Sequence, residues 1–270
     1  MRYTNSILSA LKQCHKKAYW RHVRELEPIE PNIDLLAGGA FAKGIAAMRV
    51  AYYREGKSPE VAFDLGLATL EQAYGKPSTK IPTYGKTLDK LMGGFAAYIE
   101  KWPLDPYVCA VHIEERLYTT IDEFEYSGKP DFVYETENGT LWIVDEKVTG
   151  KADDAWSSYW NLESQFSGYY YLIQKNWPAR RIGGVQIRGV GLHRDGPHCV
   201  EVPVTRMEWE IARWMDSTSS YINMFENAES REEWPMRADW QCKFCEYKKL
   251  CDVREPELFI QDFKKVEKNA

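Results

Sequence analysis

The stretch from Tyr126 to Lys147, YSGKPDFVYETENGTLWIVDEK, constrains this chain more than any other part of it. Phe132 to Glu135 is a β-favouring run, Glu137-Asn138-Gly139 supplies turn chemistry, and Leu141 to Lys147 is a second apolar run. The stretch therefore predicts two strands joined by a turn. Side chains alternate across a strand, so Asp145 and Lys147 share one face and Glu146 points to the other. Pairing of the strands brings Asp131, at the entrance to the first, close to Asp145.

Two carboxylates in one small space repel, and one takes up a proton unless a cation lies between them. Hard oxygen donors suit Mg²⁺ or Mn²⁺, which keep several waters and leave room for a phosphate. Lys147 beside such an ion is placed to orient water or to stabilise charge developing on a phosphate. The chemistry this suits is metal-assisted phosphodiester hydrolysis. The plain alternative is an edge strand whose Asp and Lys face solvent.

Gly128-Lys129-Pro130-Asp131, followed by apolar residues and then Asp145-Glu146-Lys147, resembles the PD-(D/E)XK nuclease signature. Downstream, Gln165-Phe166-Ser167-Gly168-Tyr169 resembles the QxxxY motif of the RecB-like branch, with both polar groups on one helix face. Cys242, Cys245 and Cys251, with an isolated Cys14, are similar in layout to the iron–sulfur RecB-like exonucleases, namely the AddB nuclease domain and the CRISPR-adaptation exonucleases. The motifs span about residues 5 to 251.

The resemblance implies an α/β fold, a PD-(D/E)XK core with a central mixed sheet flanked by helices. It divides a single nuclease domain, 1–270, into a mainly helical region (1–105), a catalytic sheet core (106–204) and a C-terminal helix with a cysteine segment (205–270). It implies catalytic roles for Asp131, Asp145, Lys147, Gln165 and Tyr169. Mg²⁺ or Mn²⁺ would be held by Asp131, Asp145 and the Glu146 backbone carbonyl. A [4Fe–4S] cluster would be held by Cys14, Cys242, Cys245 and Cys251; structural Zn²⁺ is the alternative, because CxxC is also a zinc spacing. The implied activity is a metal-dependent DNA exonuclease acting on single strands or free ends, with a recombination, helicase or CRISPR-adaptation partner. Recombination, repair, phage replication or CRISPR adaptation are the implied settings. A catalytically silent relative that binds DNA ends or a partner, and an endonuclease with the same site, are the rival readings.

Three departures from the family pattern stand out. Gly39-Ala40-Phe41-Ala42-Lys43 has lysine where a GxxxH segment supplies a metal-binding histidine, and an ammonium cannot coordinate a cation. Lys43 then contacts phosphate, or an acid such as Glu30 or Asp34 completes the metal shell. Val148 separates Lys147 from Thr149, and His15 follows Cys14 where proline is common. Thr149 and Lys151 are candidate DNA contacts. Glu114 reads first as a solvated strand residue and second as an acid assisting the site.

The remaining chain supplies the frame. Residues 4–25 carry helical periodicity with Cys14 mid-helix, and helices are expected over 33–55, 59–74, 86–101, 160–175 and from Thr205 onward. The last of these is expected to bury a stripe from Met207 to Phe225. Strands are expected over 108–118, 124–131, 182–193 and 198–204, a loop over 153–159, and a loosely ordered tail from Pro256. Cys109 reads as core, His193 and His198 as surface or core rather than ligands, and Arg180, Arg181, Arg188 and Arg194 as a basic rim. Net charge of −5 over 270 residues is not that of a bulk nucleic-acid binder, so DNA contact requires local basic patches. No apolar run approaches the roughly 18 residues of a membrane span and no leader pattern is visible, so a cytoplasmic location is expected (host-cell cytoplasm if phage-encoded), with no membrane partner.

Overall fold

Caps and hydrophobic runs set most element boundaries. In chain order the elements are β1 (Tyr3–Thr4), α1 (Asn5–Gln13), α2 (His15–Ala18), β2 (Leu26–Pro28), α3 (Ile33–Arg49), α4 (Pro59–Tyr74), α5 (Leu88–Lys101), β3 (Cys109–Ile113), β4 (Leu117–Ile121), β5 (Phe124–Gly128), β6 (Phe132–Glu135) and β7 (Thr140–Thr149). They continue with α6 (Asp154–Ser158), α7 (Ser164–Asn176), β8 (Arg181–His193), β9 (Gly196–Val204), α8 (Glu208–Ser230), α9 (Lys248–Cys251) and β10 (Phe263–Lys265). This computed structural model describes residues 2–30, 32–77 and 82–266. The chain forms two compact units, one of residues 32–119 and 128–211, the other of 1–31, 120–127 and 212–270.

The first unit is built on a five-stranded sheet in the order β3-β6-β7-β8-β9. β7 and β8 pair in parallel and the other neighbours pair antiparallel, so the central sheet is mixed, as expected. The β6–β7 hairpin sets Phe132 opposite Val144 and Glu135 opposite Leu141, closed by Gly139 at φ 77. Ser58 caps α4 with Pro59 in the first turn, and Thr87 caps α5, each hydroxyl accepting a backbone N–H. Ile33, Phe41, Ile45, Met48, Leu70, Leu91, Phe95 and Tyr98 of α3, α4 and α5 form a core with Val190 and Leu192 of β8. Glu146 meets α3 and α5 while Asp145 meets α7, so helices flank the sheet on opposite faces.

The second unit contains a three-stranded sheet, β1-β5-β4, with β1 and β5 parallel, and a two-stranded antiparallel sheet of β2 and β10. Trp20, Leu26, Tyr247, Leu250 and Phe263 form its compact cluster. The Tyr247 hydroxyl donates to the Leu26 carbonyl at 2.7 Å, and its ring stacks on Phe263 at 5.7 Å.

Several expectations change. The first helix is interrupted at Cys14, whose backbone is extended (φ −170, ψ 126), so Cys14 stands at a break rather than mid-helix. The strand expected over 108–118 stops at Ile113, because Glu114 adopts φ 50, which strand pairing cannot accommodate. The 153–159 loop is instead α6, capped by the Asp153 carboxylate, followed by a 3₁₀ turn at Tyr159–Leu162. α7 starts at Ser164 with Glu163 as its cap, later than Ser158 or Asn161 would start it. α8 begins at Glu208, where the Glu210 carboxylate accepts the Met207 N–H, in place of the Thr205/Glu208 box. Ile211, Trp214, Thr218, Ile222 and Phe225 of the expected stripe are buried and Met207 is exposed. Cys109 lies exposed on the edge strand β3, not in the core. The chain beyond Pro256 is a 3₁₀ turn followed by β10, paired with β2, so that the expected loose tail is ordered as far as Val266; residues 267–270 lie outside the described ones. Among the described residues no helix is long and apolar enough to cross a membrane.

Candidate active site

Strand β7 carries the DEK triplet across the middle of the mixed sheet, and its alternation separates the three side chains as strand geometry requires. Asp145 is 1% exposed and forms an ion pair with Lys147 through Oδ2. Asp131, just before β6, accepts the Glu146 backbone N–H on Oδ2 at 2.7 Å, which locks it against β7. Its carbonyl accepts the Glu114 N–H at 3.0 Å.

α7 closes one side. Glu163 caps it by accepting the Gln165 N–H, and Gln165 and Tyr169 follow one turn apart. The Gln165 side-chain amide donates to Asp145 Oδ1 at 3.2 Å and to the Tyr169 hydroxyl at 2.7 Å; that hydroxyl donates to the Lys129 carbonyl at 3.0 Å. This chain of bonds ties Asp145 to the strand leading into Asp131. Gly128 makes the close approach possible, since a Cβ there would stand 2.6 Å from Leu172 Cδ1.

The electrostatics separate the triplet again. Burial first, then Asp145 and Glu146, push the Asp131 carboxyl well above the usual carboxylate range. Burial also raises Asp145, against the opposing pull of Lys147. Burial disfavours the charge on Lys147, but Asp145 and Asp131 outweigh it and hold the side chain as an ammonium. Glu114 adds negative charge at both aspartates and is itself paired with Lys129. Glu114 thus joins the site from its left-handed position after β3, although a solvated strand face is the first reading of it.

Two adjoining carboxylates short of positive charge fit a hard divalent cation, which needs only one or two carboxylates when water and phosphate complete its shell. Asp131 and Asp145 are the groups that would hold it. Among the described residues no three His, Cys, Asp or Glu side chains are grouped so as to hold a metal ion.

Glu146, on the opposite face, is handled differently. Its Oε1 accepts from Arg49 at 2.5 Å and from the Tyr98 hydroxyl at 2.7 Å, and Arg49 also donates to that hydroxyl at 2.8 Å. Arg49 lies 4.3 Å from the centre of the Phe132 ring, and Arg188 reaches the same hydroxyl at 3.5 Å while pairing with Glu201 at 3.2 Å. Burial disfavours the Glu146 charge, but Arg49 and Tyr98 outweigh it and the carboxyl lies below its ordinary range. Arg49 and Tyr98 escape a reading of the sequence, and Arg188, expected on a basic rim, joins this network instead. Alternation announces that Glu146 needs a partner on that face, but not which residue supplies it.

The remaining candidates make other contacts. Lys43 is exposed on α3. Asp34 is exposed and paired with Lys86, and Glu30 is exposed. Thr149 Oγ1 accepts the Lys151 N–H at 3.3 Å in a local turn, and Lys151 pairs with Asp153 at 2.6 Å. Of the expected basic rim, Arg181 and Arg194 are exposed, Arg180 pairs with Glu135, and Arg188 belongs to the buried network. His193 accepts the Ala152 N–H on Nε2 at 3.1 Å and its ring lies 5.6 Å from His198.

In the second unit, Cys14, Cys242, Cys245 and Cys251 line one cavity of about 580 Å³. All are free thiols. Burial raises Cys251, and Cys14 and Cys242 raise it further, so these groups lie within electrostatic reach of one another. Cys14 Sγ accepts the Arg237 N–H at 3.4 Å. The donor set suits a thiolate-bound centre, yet no three of these thiols converge to ligand distances.

Among solved structures, the chain is similar to the crystal structure of a candidate exonuclease from Eubacterium rectale, at 13% identity and a TM-score of 0.53, covering 91% of this chain and 86% of that one. That likeness is one of fold. A crystal structure of the protein SSO0001 aligns at 14% identity over 89% of this chain and 94% of its own, with a TM-score of only 0.33. No curated protein sequence matches. Residues 2–252 match the family profile of the PD-(D/E)XK nuclease superfamily. That span contains Asp131, Asp145, the Lys147 beside them and the mixed sheet that presents them, and this chain belongs to the PD-(D/E)XK nuclease superfamily.

Proposed function

We propose that the chain is a Mg²⁺- or Mn²⁺-dependent deoxyribonuclease of the RecB-like branch, working as an exonuclease on single strands or free DNA ends. The observation that carries this reading is the geometry at β7: Asp131 bonded to the Glu146 N–H, and buried Asp145 held between Lys147 and Gln165. A divalent ion held by Asp131, Asp145 and the Glu146 carbonyl would supply Lewis acidity toward a phosphate and lower the pKa of water. Lys147, paired with Asp145, is placed to orient or activate water or to stabilise negative charge growing on the phosphate. Gln165 fixes the orientation of Asp145, and Tyr169 fixes Gln165 by accepting from it while donating to Lys129. Lys43, Thr149 and Lys151 are outlying DNA contacts in this reading.

The same reading assigns Cys14, Cys242, Cys245 and Cys251 to a structural [4Fe–4S] cluster, with zinc as the competing occupant of the same thiols. It is supported by their shared cavity. Inward movement of the thiols would accompany loading. A recombination, helicase or CRISPR-adaptation partner, and a cytoplasmic location, follow from the family resemblance alone.

The test uses anaerobically purified protein. Its visible spectrum and iron and zinc content are recorded, and it is then given end-labelled linear single-stranded DNA and a covalently closed circle with Mg²⁺ or Mn²⁺. Brown protein that degrades only the linear strand, with Asp145→Ala inactive, supports the whole proposal. Cutting of the circle replaces exonuclease by endonuclease. Colourless protein containing zinc replaces the cluster, and absence of any metal-dependent cleavage overturns the enzyme in favour of a silent DNA-binding relative.

A further inference from the structure

The segment directly after β7 forms an aromatic shelf that begins at the catalytic lysine and ends in solvent. The Trp160 ring centre lies 5.9 Å from Lys147 Nζ, and the Trp156 and Tyr159 rings stand edge-on to it at 5.1 and 4.9 Å. Trp156 sits directly on Gly189 of β8, the residue paired with Lys147; a Cβ at Gly189 would come within 2.3 Å of the indole. Exposure rises steeply along the shelf. Trp160 is 9% exposed, Tyr159 62% and Leu162 84%.

Two further features distinguish this shelf from ordinary surface residues. Its outer ring is tethered: the Tyr159 hydroxyl donates to Glu163 Oε2 at 3.2 Å, and the other oxygen of Glu163 caps α7, which carries Gln165 and Tyr169. The Trp160 indole N–H is buried and has no acceptor among the described residues, although burying an unpaired donor is costly. A tethered, exposed aromatic face that leads to an ammonium matches what a nucleotide offers, namely a base to stack and a phosphate's negative charge.

We infer that Tyr159, with Leu162 and the Trp156–Trp160 pair beneath it, is a stacking subsite for an unpaired base of single-stranded DNA next to the scissile phosphate. Lys147 contacts the neighbouring phosphate. This rests on the nuclease reading and deepens it. Inside a duplex both faces of a base are already stacked, so the subsite selects unpaired strands and frayed ends.

The test is equilibrium binding by fluorescence anisotropy. The full chain is mixed with labelled single-stranded oligonucleotides carrying one abasic residue at successive positions, with Ca²⁺ in place of Mg²⁺ and strand integrity checked by gel. Base–aromatic contacts of this kind predict that one or two abasic positions weaken binding by roughly 5- to 150-fold. Tyr159→Ala should weaken binding of the intact oligonucleotide by a similar factor and abolish the extra loss at those positions. Tyr159→Phe and Tyr159→Trp, which keep a stacking face, should retain it. An abasic profile identical in wild type and Tyr159→Ala, or a flat profile in a chain that cleaves DNA, overturns the subsite and leaves the nuclease reading standing. A chain that neither binds nor cleaves DNA overturns both.

Discussion

Asp145 and Glu146 are neighbours on one strand and both are buried, yet their surroundings are opposites. Glu146 meets Arg49 at 2.5 Å and Tyr98 at 2.7 Å, with Arg188 one step behind, and its carboxyl is held below the ordinary range. Asp145 shares its face with Asp131 and Glu114 against Lys147, and both aspartates are pushed upward. One face is balanced and holds the fold together; the other carries acid in excess of its cations. A balanced buried charge resists change of any kind, whereas an unbalanced one invites a cation or a proton. The difference marks the Asp145 face as the candidate site without reference to the motif.

The comparison is broken first at its balanced side. Glu146→Gln strands Arg49 without its counter-charge and should destabilise the chain by about 3–5 kcal/mol in denaturant unfolding. Pairing it with Arg49→Met should recover much of that loss; a single variant as stable as wild type would show that the network contributes nothing. Asp131→Asn tests the other face. It should lower metal-dependent cleavage by about 10²–10³-fold while leaving metal-free stability equal or higher, because like-charge repulsion is removed. Gly189→Ala drives a methyl group into Trp156 and should cost about 1–3 kcal/mol, with a changed tryptophan emission spectrum.

The smallest effect, on the order of 1 kcal/mol, is in pH. Asp131 and Asp145 have raised carboxyls in the folded chain, so between the ordinary carboxylate range and their raised values the folded chain holds more protons than the unfolded one. In chelator, Tm should therefore rise as pH falls from neutral through those raised values. Glu146 behaves in the opposite sense. Its stabilising contribution is complete above the ordinary range and is lost as pH falls through its lowered value. Mg²⁺ should flatten the first slope and leave the second, and a metal-independent profile would remove the aspartates as its cause.

Alternation and turn chemistry were enough to read the β6–β7 hairpin, the facing of Asp145 and Lys147, and the approach of Asp131. The four-residue spacing of Gln165 and Tyr169 was likewise visible, because i and i+4 share a helix face. The partners of Glu146 were not legible, since Tyr98 and Arg49 lie 48 and 97 residues upstream and no local pattern couples them to β7. Periodicity also carried the first helix straight through Cys14, because one extended residue leaves the hydrophobic spacing on either side intact. The Asp153 cap that turns the segment after Lys151 into a helix is a single polar residue among many. Glu114 became part of the site only through a backbone turn that its own side chain does not encode.

The ion pair between Lys147 and Asp145 has a consequence for the order of events in the life of the chain. A protein whose acidic centre depended wholly on an external ion would have to wait for that ion before its sheet could close. Here the strand supplies an internal counter-ion two residues from the acid it neutralises. The sheet can close in the absence of divalent metal, and, on the proposed function, arrival of the metal would be an exchange of cations at a finished site.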